Sequence, residues 1–482
     1  MIVPILASCD SHIGGGRSDG GAEESEDAPT TAYVREKYAG YDYDGYTFRV
    51  LSIDPGQHYY WMIDGMDGTG WCNEVWYEED NADVQIHSVF TRNLLAEDLL
   101  GIRIALLRGG GLYEIDSLVK TLVKAGGDDF DMTLGSQCRY MPLASEGYFR
   151  NLLDIGTLDL SNGWWDKEYT DTFTYKNSYL YTVCGDYNIF DEYAAACIFY
   201  NKQVVENFNL ADPADLVDAG TWTIDAMMDM ASKVTYDLTG DGMDISDAYG
   251  FYDNPYALIH LTEGCNIRVA ELDGEGVPQV VIESEEFLNA VQSVFEKVIL
   301  NPAVFLDEGT HDKTMLKEDR TLFLYEQLGG INMLRDMESD FSLLPLPKLN
   351  EDQREYTSVV NGIWLTVLSV PVSAKETDRT GIIMDVLGGM STDTVEKTLN
   401  EVILGPKLFR EERTVDMLGH VIESKRYDWG KEIPWAYPIS TILAEQTESR
   451  TFTLASSVQR IIKVVSAQLR RFAAGFEYGS IQ

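Results

Sequence analysis

Apolar and polar positions follow two rhythms along this chain. Ile102 to Leu107 is an apolar run of strand length, and Ile115, Leu118, Val119, Leu122 and Val123 then recur at helical spacing before Gly126-Gly127. Phe130 to Leu134 reads as another strand. Strand, helix, strand in that order predicts a parallel βαβ unit, in which ligands meet the loops leaving the strands' carboxyl ends. That places Gly135 to Met141, with Gln137, Arg139 and Tyr140, among the candidate ligand contacts. An earlier strand is expected where Tyr46, Phe48, Val50 and Leu51 to Ile53 gather aromatic and β-branched side chains.

Helix starts can be read further on. The Thr223 hydroxyl can cap a helix carrying Ile224, Met227, Met228, Ala231 and Val234, and Ser284 can cap one carrying Phe287, Leu288, Val291, Val294, Phe295 and Val298. A long amphipathic helix aligns Leu454, Val458, Ile461, Ile462, Val465, Leu469 and Phe472 on one side. The fold class is therefore α/β. No internal repeat is visible.

Composition narrows the function classes. The 482 residues, 45% of them hydrophobic and 11% aromatic, can bury more than one core. A formal net charge of −42 repels phosphate backbones and anionic head groups, which argues against nucleic acid as a partner. No segment reaches the about 18 uninterrupted apolar residues that a membrane span needs.

Leu6-Ala7-Ser8-Cys9 resembles the lipobox of bacterial lipoproteins, which makes Cys9 the expected lipid attachment point. The apolar stretch before it is shorter than the roughly 15–30 residues of a full signal and has no basic n-region, which points to a start codon placed too late. Residues 10–44, rich in Gly, Ser, Asp and Glu, are expected to form a flexible tether. Cys72, Cys138, Cys184, Cys197 and Cys265 are scattered, odd in number and expected to be plain thiols.

A series of short stretches carries a family resemblance through its order. Trp164-Trp165-Asp166 is followed by Tyr179-Leu180-Tyr181-Thr182-Val183, Gly185-Asp186-Tyr187-Asn188, Ile198-Phe199-Tyr200-Asn201-Lys202, Trp222-Thr223 and Leu344-Pro345-Leu346-Pro347-Lys348. Taken together they resemble the bacterial extracellular solute-binding proteins of ABC importers, the maltose-binding-protein-like superfamily and its Gram-positive lipoprotein branch. The resemblance implies a type II clamshell of two discontinuous lobes, residues 45–185 with 365–415 and residues 190–357 with 416–482. It also implies hinges at 186–193 and 358–364. The expected function is capture of a small ligand, in the first place a sugar, for a permease, by a monomer lipid-anchored to the outer face of the cytoplasmic membrane. No catalytic residue and no required cofactor is expected.

The ligand contacts this topology suggests are Arg139 and Tyr140 after a first-lobe strand, Asp186, Asn188 and Tyr193 beside the first hinge, Glu326 and Gln327 after the strand Leu322 to Tyr325, and Trp364 beside the second hinge. Trp164 and Trp165 are expected to pack the first lobe, with Asp166 as a local cap. Separately, Asp237, Thr239, Asp241, Met243, Asp244 and Asp247 resemble a calcium loop, with the last ligand out of register because the twelfth position is Ala248.

Enzyme signatures are missing: there is no G-x-S-x-G elbow, Walker loop, H-E-x-x-H pair or dinucleotide fingerprint. His12, His58, His87, His260, His311 and His420 stand at no metal-ligand spacing. A glycosidase needs only two carboxyl groups, so a secreted hydrolase remains an alternative, as does a surface glycan-binding lipoprotein without a transporter.

Overall fold

The computed structural model describes residues 29–54, 74–80, 83–307, 313–334, 336–403, 412–430 and 437–478. Cys9 and Cys72 lie outside the described residues. The strands, in chain order, are β1 (Tyr46–Ser52), β2 (Ile102–Arg108), β3 (Met132–Ser136), β4 (Ala196–Asn201), β5 (Tyr249–Asp253), β6 (Ala270–Leu272) and β7 (Pro278–Val280). They continue with β8 (Val304–Leu306), β9 (Thr321–Gln327), β10 (Phe341–Leu344), β11 (Ser358–Val359), β12 (Thr366–Ser369) and β13 (Lys425–Arg426).

Two large sheets hold nine of these strands, while β6 pairs with β7 and β11 with β13. The first has the order β12-β3-β1-β2, with β1 parallel to both β2 and β3 and β12 antiparallel at the edge. The expected βαβ unit is present, with its helix at Ile115–Ala125. Its strands are not neighbours, because β1 lies between them. The second sheet has the order β10-β4-β9-β5-β8, with β5 parallel to β8 and β9, and β4 antiparallel to β9 and β10. β3 and β9 are buried along their full length, as strands covered on both faces should be.

Local chemistry starts the helices where the sequence says. Thr223 Oγ1 accepts from the Ala226 N–H at 3.3 Å, Ser284 Oγ from Phe287 at 3.1 Å, and the Asp166 carboxylate from Tyr169 at 2.9 Å. Each satisfies an N–H that has no partner inside the first turn.

The tether expected through residue 44 gives way to structure earlier. Thr30–Tyr38 is a helix whose Val34 and Tyr38 are buried in the core of the first lobe. Its last turn is fixed by the Tyr38 hydroxyl, which donates to the buried carboxylate of Asp385. That carboxylate also accepts from the indole N–H groups of Trp164 and Trp165, both at 3.0 Å, so the tryptophan pair does pack the first lobe.

The chain crosses between the lobes at 186–195 and 358–366, and the crossings are bonded side by side. Ala195 bridges Val360, and Asn361 N–H donates to the Ala194 carbonyl at 2.9 Å. β13 pairs with β11 beside them. The return to the second lobe precedes residue 413, since Arg413 pairs with Asp215 and Asp218 at 2.6 Å each. The helix Leu454–Tyr478 is shared by the lobes: Ser145 donates to the Phe472 carbonyl at 2.7 Å, while the same helix packs on β7.

Candidate functional site

The carboxyl ends of both sheets abut the crossings. After β3, the N–H groups of Gln137 and Cys138 donate to the carbonyls of Leu365 and Gly362 at 2.9 and 3.0 Å. After β9, the Leu328 N–H donates to the Ala195 carbonyl at 2.8 Å. Loops leaving the parallel strands of either sheet therefore border the cleft between the lobes, where open α/β sheets bind their ligands.

On the first lobe, the loop after β2 presents Tyr113, which is 61% exposed. The Arg139 guanidinium stands 5.4 Å from its ring centroid and pairs with Asp116 at 2.5 Å. On the second lobe, the loop after β5 presents Tyr256, 47% exposed, with its ring centroid 6.3 Å from that of His260. His260 in turn lies flat on Tyr325 of β9, centroids 3.9 Å apart and planes at 6°, and its Nδ1 is 3.1 Å from Asp253. Burial, with the nearby Glu263, Asp253 and Glu326 carboxylates, holds the Tyr325 phenol well above its ordinary pKa, so it stays a neutral donor.

Several further polar groups on this face are paired. The Tyr252 hydroxyl donates to Asp307 at 2.6 Å, Lys313 forms a buried ion pair with Glu326, and Glu326 also accepts from the Gln327 N–H at 2.9 Å. The result is a rim with one exposed ring on each lobe beside oriented carboxylate, imidazole and guanidinium groups. Such a surface can stack on C–H faces and hydrogen-bond hydroxyls.

Several solved structures are similar to this one over most of its length. The cyclo/maltodextrin-binding protein solved with maltotetraose matches at a TM-score of 0.56 and 12% identity, over 93% of this chain and 99% of its own. The maltose-binding protein MalE of Listeria monocytogenes, solved with maltose, matches at 0.55 and 12% identity, over 89% of this chain and 98% of its own. The chain has the fold of the solute-binding proteins of ABC transporters. UgpB of Mycobacterium tuberculosis, solved with glycerophosphocholine, shares this solute-binding fold at 0.55 and 11% identity, over 79% of this chain and 94% of its own. No family model and no curated protein matches the sequence.

Within the solute-binding fold, the residues singled out from sequence fall in four different places. Arg139, Glu326 and Gln327 stand at strand carboxyl ends bordering the cleft, with Glu326 and Gln327 buried. Asn188, Tyr193 and Trp364 are buried in the crossings. Asn188 donates to the carbonyl and hydroxyl oxygens of Thr366 at 3.1 and 3.0 Å, a hinge role rather than a ligand contact. Tyr140 belongs to the core: its hydroxyl shares a hydrogen bond with Thr133 at 2.5 Å, and its ring occupies the space a Cβ on Gly135 would need. Asp186 lines a different cavity, on the flank of the first crossing.

The acidic loop folds around its own backbone. Asp237 accepts from the N–H groups of Thr239, Gly240 and Gly242, and Asp247 from those of Leu238 and Asp244. Among the described residues, the one converging set of three potential metal ligands is Asp166, Cys184 and Asp191, away from that loop.

Tyr113, Tyr256, His260 and Lys313 stand beside the same strand ends, and the sequence does not single them out as contacts. Tyr113 and Tyr256 each follow the carboxyl end of a strand by a few residues, the same signal that led to Arg139.

Proposed function

We propose that the protein captures a small carbohydrate between its lobes and delivers it to an ABC permease, held at the outer face of the membrane by a lipid on Cys9. The observation that carries this reading is the pair of exposed tyrosines, one in a cleft loop of each lobe, beside oriented hydrogen-bonding groups. A ligand touching both rings stabilises the closed arrangement over the open one, and that differential contact is the coupling a transporter can read. The relatives solved with maltose and maltotetraose support a sugar as the ligand class.

Of the carboxylates at the cleft, Glu326 is paired with Lys313, Asp307 with Tyr252 and Asp253 with His260, so these three orient donors beside the exposed rings. The test is calorimetric titration with a panel of linear and cyclic oligosaccharides, with peptides as the second arm. A sugar bound at micromolar Kd or tighter and released unaltered supports the proposal; binding of peptides alone, or new reducing ends, overturns it.

A further inference from the structure

His260 stands where the second-lobe wall can read a ligand. It belongs to the helix Ala257–Glu263, which follows the carboxyl end of β5, and its side chain is 15% exposed beside the exposed ring of Tyr256 and the buried ring of Tyr325. Two contacts fix its ring. The imidazole lies on Tyr325 with the planes at 6°, and its Nδ1 is 3.1 and 3.2 Å from the two oxygens of Asp253.

The Asp253 side chain is 1% exposed, and its Oδ1 also accepts from the Asn254 N–H at 2.7 Å. An ionised carboxylate only accepts, so the proton of a neutral His260 ring sits on Nδ1. Nε2 then carries a lone pair, and among the described residues it has no hydrogen-bond partner. The second lobe thereby offers an oriented acceptor next to the Tyr256 ring.

Charge on the cleft walls acts in the same sense. Burial and the Glu263, Asp253 and Glu326 carboxylates together raise the Tyr325 phenol on which His260 lies, so the potential at this wall is negative. Lys313 is paired with Glu326, and on the first lobe Arg139 is paired with Asp116, so both of these cations are already neutralised. A lone pair set among carboxylates suits an uncharged donor, which a sugar hydroxyl is, and disfavours a ligand carboxylate.

We propose that His260 Nε2 is the second lobe's acceptor for a ligand hydroxyl, held in that tautomer by Asp253, and that it selects neutral oligosaccharides over acidic ones. The assignment rests on the carbohydrate reading of the cleft and narrows its ligand class. The Tyr256 and His260 ring centroids are 6.3 Å apart, so one pyranose can stack on the tyrosine and donate to the imidazole. Asp253 acts only through His260 and is a positioning residue.

The test combines imidazole nitrogen NMR with calorimetry on the full chain. Above the titration of the ring, the ligand-free spectrum should show His260 protonated at Nδ1 and bare at Nε2; the opposite tautomer overturns the proposal. Asp253→Asn, whose amide can donate as well as accept, should show both ring forms, and retention of a single form removes the positioning role. Calorimetry compares maltotetraose, cellotetraose, mannotetraose and xylotetraose with tetragalacturonate. The best neutral chain should bind about tenfold tighter than the acidic one, and saturation with it should move the Nε2 resonance. His260→Phe keeps a ring on Tyr325 without the acceptor and should weaken that sugar about fivefold to tenfold. If this variant does not fold, the resonance decides, and an unmoved Nε2 at saturation overturns the proposal. Tighter binding of tetragalacturonate than of any neutral chain, or full affinity in His260→Phe, overturns it while leaving the carbohydrate reading standing. Failure of all these sugars to bind removes both.

Discussion

Asn188, on the first crossing, reaches Thr366, at the end of the second, with its side-chain amide, donating to the carbonyl oxygen at 3.1 Å and to the hydroxyl at 3.0 Å. Its own oxygen accepts from the Gly185 N–H at 3.2 Å, so one buried side chain closes its own turn and fastens it to the second crossing. Asn188→Ala should destabilise the protein by about 2–3 kcal/mol, since the Thr366 carbonyl and Gly185 N–H lose their buried partner. Urea unfolding measures the loss. A change below about 0.5 kcal/mol would show that other bonds hold the crossings together.

Glu74 predicts a pH dependence. It is fully buried, accepts from the N–H groups of Ile189 and Phe190 at 2.6 and 3.1 Å and from the Thr366 hydroxyl at 2.8 Å, and burial pushes it up to about 7. Asp186, at about 7, and Glu396, at about 8, are raised likewise. Between an unfolded value near 4.5 and these native values, the folded chain holds protons that the unfolded chain has lost. Unfolding then releases protons, so stability declines as pH rises from about 4.5 to 8. Thermal unfolding should give a higher Tm at pH 5.5 than at pH 8, and Glu74→Gln should flatten the slope by up to about one proton.

Tyr113 and Tyr256 should behave as binding residues without a stability role. Both are exposed, so Tyr113→Ala and Tyr256→Ala should leave Tm unchanged within about 1 °C. Each should weaken a bound oligosaccharide by about tenfold, or about 1.4 kcal/mol. Full affinity in the double variant would remove both rings from the site.

Asp385 is the opposite case. Its carboxylate accepts from Tyr38, Asn162, Trp164 and Trp165, with Lys37 at 3.5 Å, and it is fully buried. Asp385→Asn places an amide N–H₂ among donors and should cost about 3 kcal/mol or more. Because the two indoles lose an acceptor, a shift in tryptophan emission should accompany the loss; unchanged emission and stability would contradict the arrangement.

Much of the architecture could be read from spacing, because burial of one face imposes it. The βαβ helix and the caps at Asp166, Thr223 and Ser284 follow local signals, whereas hinges at 186–193 and 358–364 come only from the family resemblance, and in the structure the bonded crossings extend to Ala195 and Thr366. The helix Thr30–Tyr38 did not, since only Val34 and Tyr38 anchor it and a single apolar pair within a polar stretch sets no visible period. The site was less legible. Tyr140 and Tyr113 each stand near a strand's carboxyl end, and only the tertiary neighbours decide that one is core and the other exposed. Nothing in the sequence pairs Glu326 with Lys313, thirteen residues earlier, because only the fold brings the two together.

The two crossings run as a ribbon, sewn together at Ala194 with Asn361, at Ala195 with Val360 and at Asn188 with Thr366, and widened by β13 alongside β11. A single strap could swivel about its own length. Two strands joined this way cannot swivel independently: any displacement of one sheet against the other has to bend both crossings together or break the bonds between them.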